Sequence, residues 1–185
     1  MSDTDDHDDT AEAAVLTCAA VYLLRVDGTC YACQRTTPMF GLMGLPPMSQ
    51  EGGDYPVDED ECMFREVVEM PTGVAAAIRE TAGEIYRPDF SGTAGLEYWM
   101  NHCQHCDATQ GDFFVHGPNG PFWPQDEVQM ETIQSTRVEG PFKFVEPQTA
   151  YSGAMVDWRN RRHGVVRPPP RAVKPRKKRS PTGAS

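Results

Sequence analysis

Residues 30–40 read CYACQRTTPMF, and residues 98–116 read YWMNHCQHCDATQGDFFVH. Each stretch holds a Cys-x-x-Cys pair, Cys30 with Cys33 and Cys103 with Cys106. Two residues between the thiols let the backbone turn sharply around an ion. One pair then fills two adjacent corners of a tetrahedral thiolate site, with metal–sulfur bonds of about 2.3 Å. Two pairs complete the tetrahedron. The expectation is one structural zinc ion held by Cys30, Cys33, Cys103 and Cys106, a closed site with no corner left for water. Sixty-nine residues separate the pairs, more than in compact four-cysteine motifs. Two other readings stay open: two unrelated turns, or a mixed site in which His102, His105 or His116 replaces a thiol.

Working outward, residues 19–26 read AAVYLLRV and end at Asp27-Gly28, which predicts a strand closed by a turn with the first pair just beyond it. Residues 36–45 are the expected return strand. Residues 46–62, with Pro46, Pro47, Gly52, Gly53 and Pro56 and then four acids at 58–61, read as a loop. Pro71-Thr72 opens a predicted helix to about residue 81, with Gly83 near its end. Residues 86–95 read as a second loop, 112–116 as a strand, 117–120 as a turn, and 127–133 and 142–145 as two short strands. The fold class expected is α+β and β-dominated, with zinc-ribbon-type hairpins, an inserted short helical segment and disordered termini. The divisions are an acidic tail at 1–12, a globular domain at 13–158 and a basic Pro-rich tail at 159–185.

The two quoted stretches resemble those of uncharacterised bacterial zinc-ribbon proteins with two widely spaced Cys-x-x-Cys knuckles. The resemblance covers roughly residues 20–45 and 86–145, and it implies one zinc on the same four cysteines and no particular activity. There is one departure. Ribbon knuckles place Gly after the second Cys, where a positive φ is easy. Here Gln34 and Asp107 stand there, so the turn is either strained or of another shape.

The net charge of -10 over 185 residues is unevenly spread. Residues 1–158 hold all 27 acids and 7 Lys or Arg, whereas residues 159–185 hold 10 Lys or Arg and no acid. An acidic body repels nucleic acid and anionic membrane, so a protein partner is expected and a membrane is not. The tail residues Arg171, Lys174, Arg176, Lys177, Lys178 and Arg179 can neutralise phosphates, which makes a nucleic-acid-associated protein the first alternative. The first ten residues carry five Asp and lack the positive start of a secretory signal. The longest apolar stretch, 13–24, is too short to span a bilayer. A cytoplasmic location is therefore expected, where such cysteine pairs are metal or redox sites rather than disulfides.

A thiol redox protein using Cys30 and Cys33 is the second alternative, but it needs the first thiol at a helix start. The H-x-E of a zinc deaminase, HExxH, GxSxG and a Gly-rich phosphate loop are all missing from the sequence. Cys18 reads as a small buried hydrophobe, and Cys62, after four acids, as a less reactive thiol. Asp112 and His116 would share a strand face, either as an acid–base pair or, preferably, as an Asp that accepts backbone N–H groups beside a supporting His. Phe113, Phe114, Phe122 and Trp123 are expected to pack in the core rather than stack on bases. The function expected is a non-enzymatic binding protein whose zinc pins two hairpin ends together.

Overall fold

The computed structural model describes residues 13–53, 63–150 and 152–163. The expected acidic tail, the acidic run at 58–61, Cys62 and the six tail cations lie outside the described residues. In chain order the elements are β1 (Val15–Thr29), β2 (Thr36–Glu51), β3 (Met63–Arg65), α1 (Thr72–Ala82), β4 (Tyr86–Ser91), β5 (Leu96–His102), β6 (Thr109–Gln110), α2 (Asp112–His116), α3 (Glu127–Thr132), β7 (Gln134–Val145), β8 (Gln148–Ala150) and α4 (Gly153–His163). Strand dominates, and every pairing is antiparallel.

β1 is apolar on both sides because both of its faces are covered. Leu16, Cys18, Val21 and Leu23 enter one core, and Ala20, Tyr22, Leu24 and Val26 enter another. The parity changes at Ala19, where each neighbouring strand sets two residues opposite one. Those residues are Pro46-Pro47 on β2 and Gly140-Pro141 on β7. A proline lacks the N–H that a regular ladder would use, so a register break suits it. For this reason β2 runs through Pro46 and Pro47 to Glu51, and the loop expected from residue 46 begins later.

Among the described residues the larger sheet has the order β7-β1-β2-β3-β8, and the smaller one β4-β5-β6. The first core lies between the larger sheet and α1 with β4 and β5, through Val74, Ala75, Ile78, Ala82, Tyr86 and Trp99. Spacing of three and four residues puts the α1 members on one helix face. Pro71 precedes the helix, and Gly83, at φ 57°, ends it as expected. The second core is closed by Val115, Phe122, Ile133, Met155, Val156 and Trp158 from the α2, α3 and α4 region. Gly41 sits under this cover. A Cβ there would come within 2.9 Å of the Phe122 ring, closer than packed atoms tolerate.

Several expected elements are corrected. Asp27-Gly28 does not turn; it pairs with Pro38 and Thr37, and the cysteine pair itself reverses the chain. Residues 86–91 form β4 rather than a loop, since Pro88 lies on a sheet edge where its missing N–H costs little. Residues 112–116 are helical. Asp112, Val115 and His116 are buried while Phe113 and Phe114 face out, a period of three to four rather than two. Residues 127–132 are also helical, capped by Asp126, whose carboxylate accepts the Gln129 N–H at 2.8 Å. The short strand at 142–145 is the end of the longer β7. α4 runs across the composition change after Trp158 to His163, with Arg159 buried.

Phe144 is buried and stacks on Phe64 with ring centroids 4.2 Å apart. Phe144→Ala is expected to destabilise the fold by about 3–5 kcal/mol. Denaturant titration should show a lower midpoint with an unchanged slope.

Candidate metal centre

Each cysteine pair is the turn of a hairpin, and the two turns use the same hydrogen bonds. In the first, Cys30 N–H donates to Arg35 O at 3.0 Å and Gln34 N–H to Cys30 O at 2.9 Å. In the second, Cys103 N–H donates to Ala108 O at 3.0 Å and Asp107 N–H to Cys103 O at 2.9 Å. Both residues after the second cysteine, Gln34 and Asp107, have φ 59°. The missing glycines therefore leave the turn shape unchanged and place two ordinary residues in the left-handed region. Gln34 answers with a 2.7 Å bond from its amide to Tyr31 O. Asp107 is held by the Arg87 guanidinium at 3.0 and 3.1 Å.

The four Sγ atoms of Cys30, Cys33, Cys103 and Cys106 lie within 4.8 Å of one another. Across the two hairpins, Cys30 and Cys106 are 3.8 Å apart and Cys33 and Cys103 are 3.6 Å apart. A tetrahedron with arms of 2.3 Å has edges of about 3.8 Å, so the set fits one tetrahedral metal ion such as zinc. Sulfur is also served by N–H donors, with His105 N–H on Cys103 Sγ and the Gln110 side-chain amide on Cys30 Sγ, each at 3.4 Å.

Burial opposes ionisation of Cys103, but the His105 and Cys106 N–H groups and the neighbouring thiols outweigh it, and its pKa falls to about 6. Burial likewise opposes ionisation of Cys30, and the Cys33 and Ala32 N–H groups bring its pKa below the ordinary value. Cys106 goes the other way. The Ala108 N–H favours its thiolate, yet burial and the three adjacent sulfurs push its pKa up to about 12. The cluster thus accepts some negative charge and resists more. A divalent cation removes that resistance, which couples metal binding to proton release.

Side chains that were not singled out for this task bring the hairpin tips together. Asn101 is fully buried, and its amide bonds both backbone groups of Phe40, accepting at 2.7 Å and donating at 2.8 Å. It acts as a one-residue strand pairing between β5 and β2. Buried Thr37 accepts the Gln104 N–H at 3.0 Å, and Gln110 takes the Tyr31 N–H at 3.4 Å while bonding Cys30. All of them lie within the two quoted stretches, 30–40 and 98–116, but their residue types alone gave no signal of this role.

None of the three histidines near the pairs belongs to the thiol cluster. His102 Nε2 meets Asp89 Oδ2 at 3.0 Å, a bond that holds the Asp89 carboxyl below its usual range. His105 Nε2 reaches Thr36 O at 2.9 Å. His116 Nε2 is 4.0 Å from Asp112 Oδ1, too far for a hydrogen bond. Asp112 accepts the Glu66 N–H and donates its own N–H to the Tyr98 hydroxyl at 3.2 Å. It ties α2 to the β3 end and to β5, the structural role preferred for it. Cys18 is buried, as expected.

The aromatic expectation is corrected. Phe122 is in the core, but Phe113 is 72% exposed, Phe114 54% and Trp123 38%. Tyr31, inside the first knuckle and 51% exposed, stacks on Phe114 at 5.3 Å with planes 16° apart. Helical α2 turns its two Phe side chains outward where a strand would have buried one of them.

Comparison with protein-family models, with curated proteins and with solved structures finds no match. Among the described residues no helix is long and apolar enough to cross a membrane.

Two predictions follow from this geometry. Gln34→Val is expected to cost about 1–2 kcal/mol, since a β-branched residue tolerates positive φ poorly, whereas Gln34→Gly should be neutral or stabilising; thermal unfolding of the metal-loaded protein compares them. The second concerns the buried pair on α2. Burial raises the Asp112 pKa to about 7, against lowering by the Glu66 N–H and Arg65. Burial, aided by the Arg65 charge, lowers the His116 pKa to about 3. The raised acid favours folding at low pH, and its contribution is lost as pH rises from about 4 to 7. The lowered His favours folding at high pH, and its contribution is lost as pH falls from 6.5 towards 3. The two slopes oppose each other in the wild type. Asp112→Asn removes the first, so its stability relative to wild type should increase by about 2–4 kcal/mol between pH 4.5 and 7.5. Urea denaturation at those two pH values measures it, and a pH-independent difference would contradict the assignment.

Proposed function

We propose that this chain is a non-enzymatic zinc-ribbon protein in which one structural zinc ion locks two hairpin tips into a rigid surface that binds another macromolecule. The observation that carries the reading is the meeting of four thiols, two from each tip, at the edge lengths of a zinc–thiolate tetrahedron. Four thiolates fill such a site, so its contribution is shape rather than activation of water. The hairpin setting supports a metal knuckle over a redox pair, since Cys30 follows β1 and no helix starts at it. The exposed cluster of Tyr31, Phe113 and Phe114 at the first knuckle supports an interaction surface. Its place on an acidic body favours a protein partner, within the cytoplasm.

A second reading rests on charge alone. The +10 balance of residues 159–185 favours nucleic-acid attraction through Arg171, Lys174, Arg176, Lys177, Lys178 and Arg179, which would weaken steeply with salt.

Metal analysis of the purified chain is expected to give one zinc per molecule, with a four-sulfur shell near 2.3 Å by X-ray absorption. Cys103→Ser should lose most of the metal, and the four thiols should resist alkylation until a chelator is added. A metal-free protein that cycles a Cys30–Cys33 disulfide would reject the proposal in favour of redox chemistry.

A further inference from the structure

We infer that the cleft beside the first knuckle is a docking site for this chain's own Pro-rich segment at residues 167–171, RPPPR, bound within the same molecule. This deepens the proposed interaction surface and rests on that reading. The cleft has a volume of 370 Å³ and is lined by, among others, Asp27, Tyr31, Met39, Phe114, Gln129 and Thr132. The stacked rings of Tyr31 and Phe114 make one wall, and α3 makes the other. A shallow aromatic trough of this kind matches a polyproline segment, which is already extended, carries flat apolar rings and loses little entropy on binding.

Position and charge select the occupant. The last turn of α4 lies against α3, with Arg161 donating to Glu127 at 2.8 Å and to Met130 Sδ at 3.6 Å. The chain therefore leaves His163 beside the element that forms the cleft wall. Three prolines begin five residues later. At about 3.1 Å per extended residue, that span covers some 15–20 Å, enough to round a helix about 10–12 Å wide. Residues 164–185 carry seven Lys or Arg and no acid. The cleft wall itself carries one acid, Asp27; Asp126, the cap of α3, and Glu131 on α3 are exposed nearby, while Glu127 is paired with Arg161. Asp27 is paired with Arg25 at 3.0 Å, and Gln134 also holds Arg25 at 3.3 Å, so this pair adds little net charge of either sign to the cleft. A trough with stacked aromatic rings on one wall, no unpaired cation in its lining and exposed acids nearby suits a cationic proline run better than it suits a nucleic-acid strand.

The test uses the full zinc-loaded chain, labelled with nitrogen-15. The amide spectrum of the wild type is compared with that of the Pro168→Ala, Pro169→Ala, Pro170→Ala variant, at two protein concentrations. The expected result is a set of shift differences confined to residues around Tyr31, Phe114 and Thr132 that does not depend on concentration. The differences should vanish when Phe114→Ser is added, and shrink with Glu131→Arg, a change at an exposed position that keeps the proposal testable if the first variant folds poorly. Trypsin should cut after Arg171 several-fold more slowly in wild type than in Phe114→Ser. Superimposable spectra would overturn docking. Differences that grow with concentration would assign the occupant to a second copy, and differences elsewhere would assign the tail to another acidic surface; either overturns the proposal. Zinc content, measured on the same samples, reports on the metal reading independently.

Discussion

The amide of Asn101 fixes where the two hairpins meet. It is wholly buried and bonds both the N–H and the C=O of Phe40. Phe40 lies seven residues after Cys33, and Asn101 two residues before Cys103. A buried amide left unpaired costs about 1–3 kcal/mol per group, so no neighbouring register is equivalent. With β2 and β5 locked at this point, the tips that project beyond it can come together only as they do. The contacts from Thr37 to Gln104 and from Gln110 to Cys30 then set the last few ångströms. The thiol cluster is the consequence of a register chosen by polar groups inside an apolar layer.

The thiols were legible in the sequence because a Cys-x-x-Cys pair has few other uses in a reducing setting, and the 69-residue insert did not obscure them. The helix from Thr72 was legible for a similar reason: its breakers stand at its ends and its apolar residues recur at helical spacing. The errors have a common physical origin. Pro46, Pro47 and Pro88 read as loop signals in the sequence, yet each occupies a position where a missing N–H costs little, two at a register break and one on an edge strand. Residues 112–116 and 127–132 are too short to display a period, so their aromatic and apolar content suggested strand. Capping by Asp126 and the outward direction of Phe113 and Phe114 decide otherwise. Asn101 carried no signal at all, since one Asn in an apolar strand gains meaning only when its partner, 61 residues earlier, is known.

A metal in this position acts on part of the molecule. Two cores, one on each face of the larger sheet, hold β1 and β2 along their length. Neither core reaches the exposed ends of the knuckles, where Gln34 and Asp107 sit at positive φ with side chains in solvent. Left-handed backbone at two ordinary residues costs about 1–2 kcal/mol each. Single hydrogen bonds and one exposed ion pair at Arg87 offset little of that. Four metal–thiolate bonds offset it easily. The sheet body can thus stand on its packing, while an ion bound by the four thiols would hold the tips, so that stability is divided between the core and its end.

That division also explains why the exposed aromatics stand where they do. Tyr31 is inside a knuckle, and its stacking on Phe114 joins the first hairpin tip to α2, which is anchored through Asp112 to the Glu66 N–H and to Tyr98. Large apolar rings in solvent are costly unless something covers them for part of the time. If the tip were free to move, the pair would have no fixed geometry to offer a partner. Held by four sulfurs on one side and a buried carboxylate on the other, the two rings keep a fixed separation and tilt. An ion held by the four thiols would fix that geometry from the knuckle side without touching either ring.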